Sequence, residues 1–181
     1  HGGFEAQCFD PDLVHPARVD ALRQKWQLDG NRFPVIVLPG RLTQWKGQEV
    51  FIDSLNLIRD LPFVALCVGD IGENQSFTKR LQDKIVSYGL EDKIRLVGHC
   101  ADMPAAMLLA DVVVSASSSQ PEAFGKVAIE AMAMGRPVIA TAHGGSLETV
   151  VDGTTGWLVP PSDPDAMAEA IRQALADQIR L

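Results

Sequence analysis

Four charged side chains stand where this chain could do chemistry. Arg41 and Lys46 lie in "LPGRLTQWKGQEV", a loop that begins at Gly40 and leads into a helical pattern near Gly47. Glu122 and Glu130 lie in "QPEAFGKVAIEAMAMGRPVIATA", with seven residues between them on a stretch almost free of other charge. Cations ahead of a helix start are unfavourable by a few tenths to about 1 kcal/mol, because the helix dipole is already positive there. A bound anion reverses that sign, so the Arg41/Lys46 loop reads as an anion clamp. Solvated surface cations are the plain alternative, since Lys and Arg are mostly exposed.

The second segment points the same way. The helix predicted to open near Ala123 or Phe124 leaves free backbone N–H groups at Phe124, Gly125, Lys126 and Val127, and such groups bind phosphate well. Gly125 removes a side chain where phosphates would approach the backbone. Neither G-x-G-x-x-G nor a P-loop occurs in the chain.

From Val127 to Met134 every residue except Glu130 is apolar, so this helix is expected to be buried nearly all round. An unpaired carboxylate there is costly. The i,i+4 neighbour Lys126 stands on the poorer, N-terminal side, and such pairs contribute only about 0.2–0.5 kcal/mol. The functional reading is that Glu130 accepts hydrogen bonds from a diol, as acidic residues do with ribose in dinucleotide sites. Glu122, just before the helix, would repel phosphate and should face a neutral, hydroxyl-bearing part of the ligand. Hydroxyls at both ends with phosphates between describe a nucleotide diphosphate sugar. A further glycine turn, Gly144–Gly145 in "TAHGGSLETVVDG", is a weak signal, and His143 reads as a turn histidine.

Short apolar runs must carry these loops. Strands are predicted at 33–40, 63–70, 93–99, 111–117, 136–142 and 156–160, most of them apolar on both faces. Helical patterns fall between them at 47–61, 76–90 with Gly89 as a stop, 102–110, 123–135 and 163–179. The last opens with Asp163 as cap and Pro164 in its first turn. One more helix, in "HPARVDALRQKWQL", precedes the first strand. This alternation predicts an α/β fold: a Rossmann-like, doubly wound parallel sheet of about six strands with helices on both faces. In such sheets ligands bind at the carboxyl ends of the strands, near the switch in strand order.

Composition narrows the class. The 181 residues, 46% hydrophobic, suffice for one domain spanning 1–181. A net charge of -7 without a Lys/Arg run argues against nucleic acid and a polybasic membrane anchor. No apolar run approaches a spanning helix and no leader pattern is visible, so a soluble chain is expected. Cys8, Cys67 and Cys100 form no C-x-x-C, which suggests reduced structural thiols and a cytoplasmic protein. His1, His15, His99 and His143 do not cluster with carboxylates, so no metal is expected.

With these residues in view, the chain resembles the C-terminal, donor-binding domain of retaining glycosyltransferases of GT-B architecture, specifically glycosyltransferase family 4, the group 1 transferases. "GRLTQWKGQEVFIDSL" is similar to the family's G-R-x-x-x-x-K-G segment, and "PEAFGKVAIEAMAMGRPVIA" to its E-x7-E element. "GGSLETVVDGTTGWLVPPSDPDAMAEAI" resembles its closing segment in order and spacing. The resemblance implies that Arg41 and Lys46 hold the donor diphosphate and stabilise the departing nucleotide. Glu122 would contact donor-sugar hydroxyls, Phe124 and Gly125 would lie along sugar and phosphates, and Glu130 would hold the ribose. The base would sit around Gly98, His99 and Cys100, held largely by backbone. One departure stands at the start, where "GGFEAQCFDP" has Gly2 and Glu5 in place of the Asn and Asp of the family's N-G-V-D entry segment.

For a whole enzyme the resemblance implies metal-independent sugar transfer with retention, by front-face attack in which the leaving phosphate helps remove the acceptor proton. It also implies an N-terminal acceptor-binding domain that this chain lacks, so the chain reads as an excised fragment or one half of a split enzyme, inactive alone. Membrane association through that other half stays open. Two other classes compete: a sugar-nucleotide epimerase of the same architecture, which would add acid/base carboxylates or histidines, and a non-catalytic nucleotide-binding or interaction module, against which intact Arg41, Lys46, Glu122 and Glu130 count.

Overall fold

A computed structural model describes residues 7–43, 47–71, 75–116, 126–141 and 156–179. A short 3-10 turn at Pro11–Leu13 precedes α1 (Pro16–Lys25). There follow β1 (Val35–Pro39), α2 (Gln48–Leu57), β2 (Val64–Val68), α3 (Gln75–Ser87) and β3 (Ile94–Gly98). Then come α4 (Met103–Leu109), β4 (Val112–Ser115), α5 (Lys126–Ala133), β5 (Val138–Thr141), β6 (Gly156–Val159) and α6 (Pro164–Ile179). All six strands are parallel, in the order β3-β2-β1-β4-β5-β6. This is the doubly wound sheet the alternation predicts.

Side chains leave a strand alternately on its two faces, so a strand covered on both sides must be apolar throughout. Ile36 and Leu38 point into one core with Phe51, Ile52 and Leu55 of α2, Phe77 and Leu81 of α3 and Ile171 of α6. Val35 and Val37 point into the other with Leu22 of α1, Ala105 and Ala106 of α4 and Ala128 and Ala131 of α5. Complete burial of a side chain such as Phe51 or Leu55 contributes about 1.5–3 kcal/mol. α2, α3 and α6 thus cover one face, and α1, α4 and α5 the other.

Local chemistry sets the ends. Asp163 accepts from the Ala166 N–H at 3.0 Å and caps α6 as expected. Asp102 caps α4 through the Ala105 N–H at 3.2 Å, and Arg18 grips the same carboxylate at 2.7 and 2.8 Å, tying α1 to α4. α3 stops at Gly89, where Leu90 N–H donates to Ile85 and Gly89 N–H to Val86, the paired bonds of a left-handed glycine cap. α2 is shorter than the pattern 47–61 predicts, because Ile58 leaves the helical conformation and its N–H turns to Leu55 O.

At the carboxyl edge the loops are zipped together: Gly40 N–H donates to Val68 O, Leu42 N–H to Asp70 O and Gly69 N–H to Gly98 O. The other side of β1 differs. β1 pairs with β2 at five positions but with β4 only at Ile36–Val112 and Val37–Val113. Gly47, at the start of α2, closes onto the end of β4. A Cβ at Gly47 would lie 1.8 Å from Ala116 O, and its φ of +84° is itself hostile to other residues.

Gly47→Ala combines a left-handed strain of about 1–2 kcal/mol with a forced backbone displacement of about 1–3 kcal/mol. Its melting temperature is expected to fall by roughly 5–20 °C, at about 2–4 °C per kcal/mol for a domain of this size. Gly30→Ala, at φ +75° in open space, carries the first term alone. Thermal unfolding of both checks this, and equal losses would contradict it.

Candidate functional site

The strand order changes direction between β1 and β4: β1 leads to α2 on one face, β4 to α5 on the other. The carboxyl ends of these strands are the crevice where doubly wound sheets bind ligands. On one wall Gly40 turns with φ +143° and Arg41 follows, its side chain exposed and its loop anchored by buried Leu42. On the other wall α5 begins at Lys126 and runs back against β4 and β5 with Ala128 and Ala131 inward. Arg41, Lys126, Val127 and Glu130 are therefore brought to one region of the edge. Lys46, Glu122, Phe124 and Gly125, with His143, Gly144 and Gly145, lie outside the described residues.

Gly98, His99 and Cys100 end β3, with β2 between them and β1. Two strand spacings place them roughly 10 Å from the end of β1 along the same edge. Gly98 has φ +82° with open space beside it, and His99 is exposed. Cys100 is buried with Sγ 3.5 Å from Asp102 O, and burial pushes its thiol up, away from thiolate chemistry. Cys67, fully buried in β2, is pushed up to about 12 for the same reason. A cleft of about 630 Å³ next to the end of β2, lined by Ile71, Gln75, Ser76, Thr78, Lys79 and Gln82, is a feature the motifs do not announce.

α5 is not buried all round. Ile129 is 49% exposed and Ala133 faces out, because the helix covers only one face of the sheet and turns its far side away. Glu130 nevertheless keeps 18% exposure, against 74% for Lys126, whose Nζ stays 4.0 Å from Oε2. That pair is long and largely solvated, so it contributes little. Burial pushes the Glu130 carboxyl above the usual carboxylate range, and Lys126 only partly offsets it. The carboxylate sits in a place that disfavours its charge.

Sequence patterns pass over Gln48. As the first residue of α2 it would ordinarily face water, yet it is fully buried, its Nε2 2.9 Å from Arg41 O and 3.4 Å from Gly40 O. The only hint in the sequence is a glutamine directly after the "KG" of the anion loop. A polar cluster between α2 and α3 is structural instead: Lys84 meets Asp53 and Glu49 at 2.9 Å, and Tyr88 donates to Asp53 at 2.6 Å. Among the described residues, no group of three or more His, Cys, Asp or Glu is placed to hold a metal, and no helix is long and apolar enough to cross a membrane.

A parallel sheet with this strand order defines the doubly wound α/β class, which binds ligands at its switch point. The family description of glycosyl transferases group 1 matches residues 19–181, and the chain belongs to that family. It is 32% identical over 171 residues to mannosylfructose-phosphate synthase of Agrobacterium fabrum, a match covering 90% of this chain and 36% of that protein. A glycosyltransferase from Rickettsia africae superposes with a TM-score of 0.89 at 34% identity, over 94% of this chain and 44% of the other. Anabaena HepE, solved in complex with UDP and glucose, gives 0.83 at 34% identity, over 94% and 46%. The chain thus spans less than half the length of each of these GT-B relatives.

The raised Glu130 carboxyl has a stability consequence. The folded chain binds its proton more tightly than the unfolded one, so stability falls as pH rises from its ordinary to its raised value. At neutral pH, Glu130→Gln is expected to raise the melting temperature of the ligand-free chain and to flatten that part of the pH profile. Thermal melts across the acid range check it, and a lower melting temperature would contradict it.

Proposed function

We propose that this chain is the donor-binding domain of a retaining GT-B glycosyltransferase of family 4, and that it binds a nucleotide diphosphate sugar for transfer to an acceptor. The observation that carries the reading is the switch in strand order between β1 and β4. One wall presents the Gly40–Arg41 turn and the other presents α5 with a carboxylate in an unfavourable place. Relatives of known structure support it, since HepE holds UDP and glucose.

In this reading Arg41 and Lys46 meet the diphosphate, Glu130 accepts from the ribose hydroxyls and Glu122 from the donor sugar. Gly98, His99 and Cys100 bound the base. Cleavage of the sugar–phosphate bond builds negative charge on the departing phosphate oxygen. Fixed cations and helix N–H groups aimed at that oxygen stabilise it without moving, which is the economy of a preorganised site. The arrangement supplies positive charge without a metal, and we assign it no cofactor. An N-terminal domain of the same enzyme would bind the acceptor and exclude water, so the 181 residues alone would bind the nucleotide and transfer nothing. We place the donor half in the cytoplasm, consistent with the unpaired cysteines Cys8, Cys67 and Cys100.

The test is calorimetric titration of the chain with UDP, GDP and ADP, with and without EDTA. One nucleotide is expected to bind regardless of EDTA, and to bind about tenfold or more weakly to Arg41→Ala and Glu130→Ala. A charged hydrogen bond lost from each contact costs about 1.5–3 kcal/mol, and 1.4 kcal/mol is a factor of ten. Binding of none, or sugar transfer by the chain alone, would overturn the reading.

A further inference from the structure

The end of β1 is held unevenly. Toward β2 it is fixed by the bonds of Gly40 N–H to Val68 O and of Leu42 N–H to Asp70 O. Toward β4, among the described residues, pairing ends at Val37–Val113, and no strand bond reaches Gly40 or Arg41 from that side. The Gln48 amide reaches their carbonyls, 2.9 Å from Arg41 O and 3.4 Å from Gly40 O. Nε2 faces two acceptors, so the orientation of the amide is set by its partners.

Packing alone does not ask for glutamine here. Gln48 is completely buried, and its Oε1 has no hydrogen-bond partner among the described residues. A buried amide oxygen left unpaired is destabilising, and methionine would fill similar space without that cost. A residue that weakens the fold at one atom while gripping a loop at another has the mark of a site. Contacts to a bound anion need their side chain held to about half an ångström. Arg41 is exposed, so the fixed point from which it works is its backbone.

We propose that Gln48 is a positioning residue of the donor site: by clamping the carbonyls of Gly40 and Arg41 to the start of α2, it sets the direction in which the Arg41 guanidinium enters the crevice. This rests on the donor-site reading above. Gln48 touches no substrate and acts through Arg41.

The experiment compares Gln48→Met, Gln48→Glu and Leu55→Ala, the last a buried residue of the same helix away from the crevice. Three quantities are read on each: melting temperature, affinity for UDP, GDP and ADP, and hydrogen-exchange protection of the Gly40 and Leu42 amides without nucleotide. Gln48→Met is expected to lose about tenfold or more in affinity at every pH and to lose protection at Gly40 and Leu42. Leu55→Ala is expected to melt lower with affinity kept. Gln48→Glu is expected to bind poorly near neutral pH and to recover as pH falls, because a protonated carboxyl again offers a donor to the Arg41 carbonyl. Unchanged protection at Gly40 and Leu42 in Gln48→Met overturns the proposal, whether or not nucleotide binds. So does an affinity loss that merely follows melting temperature across all three variants. A parent chain that binds none of the nucleotides, with Gln48→Met still deprotecting the loop, would sink the donor-site reading and leave the clamp standing.

Discussion

A contact too close for any side chain organises the functional edge of this domain. Gly47 presses its backbone against the carbonyl of Ala116, so the start of α2 is pinned to the end of β4. The glycine does more than permit a turn: it lets a helix start, a strand end and a loop bearing Arg41 share one small volume.

Electrostatics is then handled locally. The chain carries a net charge of -7, so an anion is not drawn in by the whole surface. In the proposed reading it is met by particular groups, and Arg41 stands exposed at the turn. On α5, burial disfavours the charge of Glu130, and Lys126 is too far and too solvated to compensate fully. Both Glu130 and Gln48 hold polar atoms where the free fold gains nothing from them. Strain of that kind is expected where a ligand completes the set of partners.

Much of the architecture was legible in the sequence because doubly covered strands must be apolar in succession. "VIVLP" and "VALCV" can hardly be anything but inner strands, and the caps Asp163 and Gly89 mark helix ends by chemistry that does not depend on tertiary context. Strand order was not legible, since pairing between β1 and β4 joins segments far apart in the chain. The all-round burial expected for α5 failed at Ile129, because a run of apolar residues records hydrophobicity and not which side a neighbour covers. Gln48 was invisible for the opposite reason: a polar residue at a helix start looks like surface until the loop folds over it. Arg41, Gly98, Cys100 and Glu130 were legible as types at strand ends and in a helix, and the fold brings them to one edge.

The central proposal is positional: nucleotide would bind at the carboxyl edge, where the strand order switches between β1 and β4. Mapping backbone amide shifts of the chain on titration with UDP, GDP and ADP tests it most directly. The account predicts that the nucleotide that binds shifts Gly40, Arg41 and Leu42 together with Gly98 to Cys100 and the Lys126–Glu130 turn of α5. Shifts gathered instead at the opposite edge, around Asn31 and Asp111, or confined to the Gln75–Gln82 cleft, would contradict it.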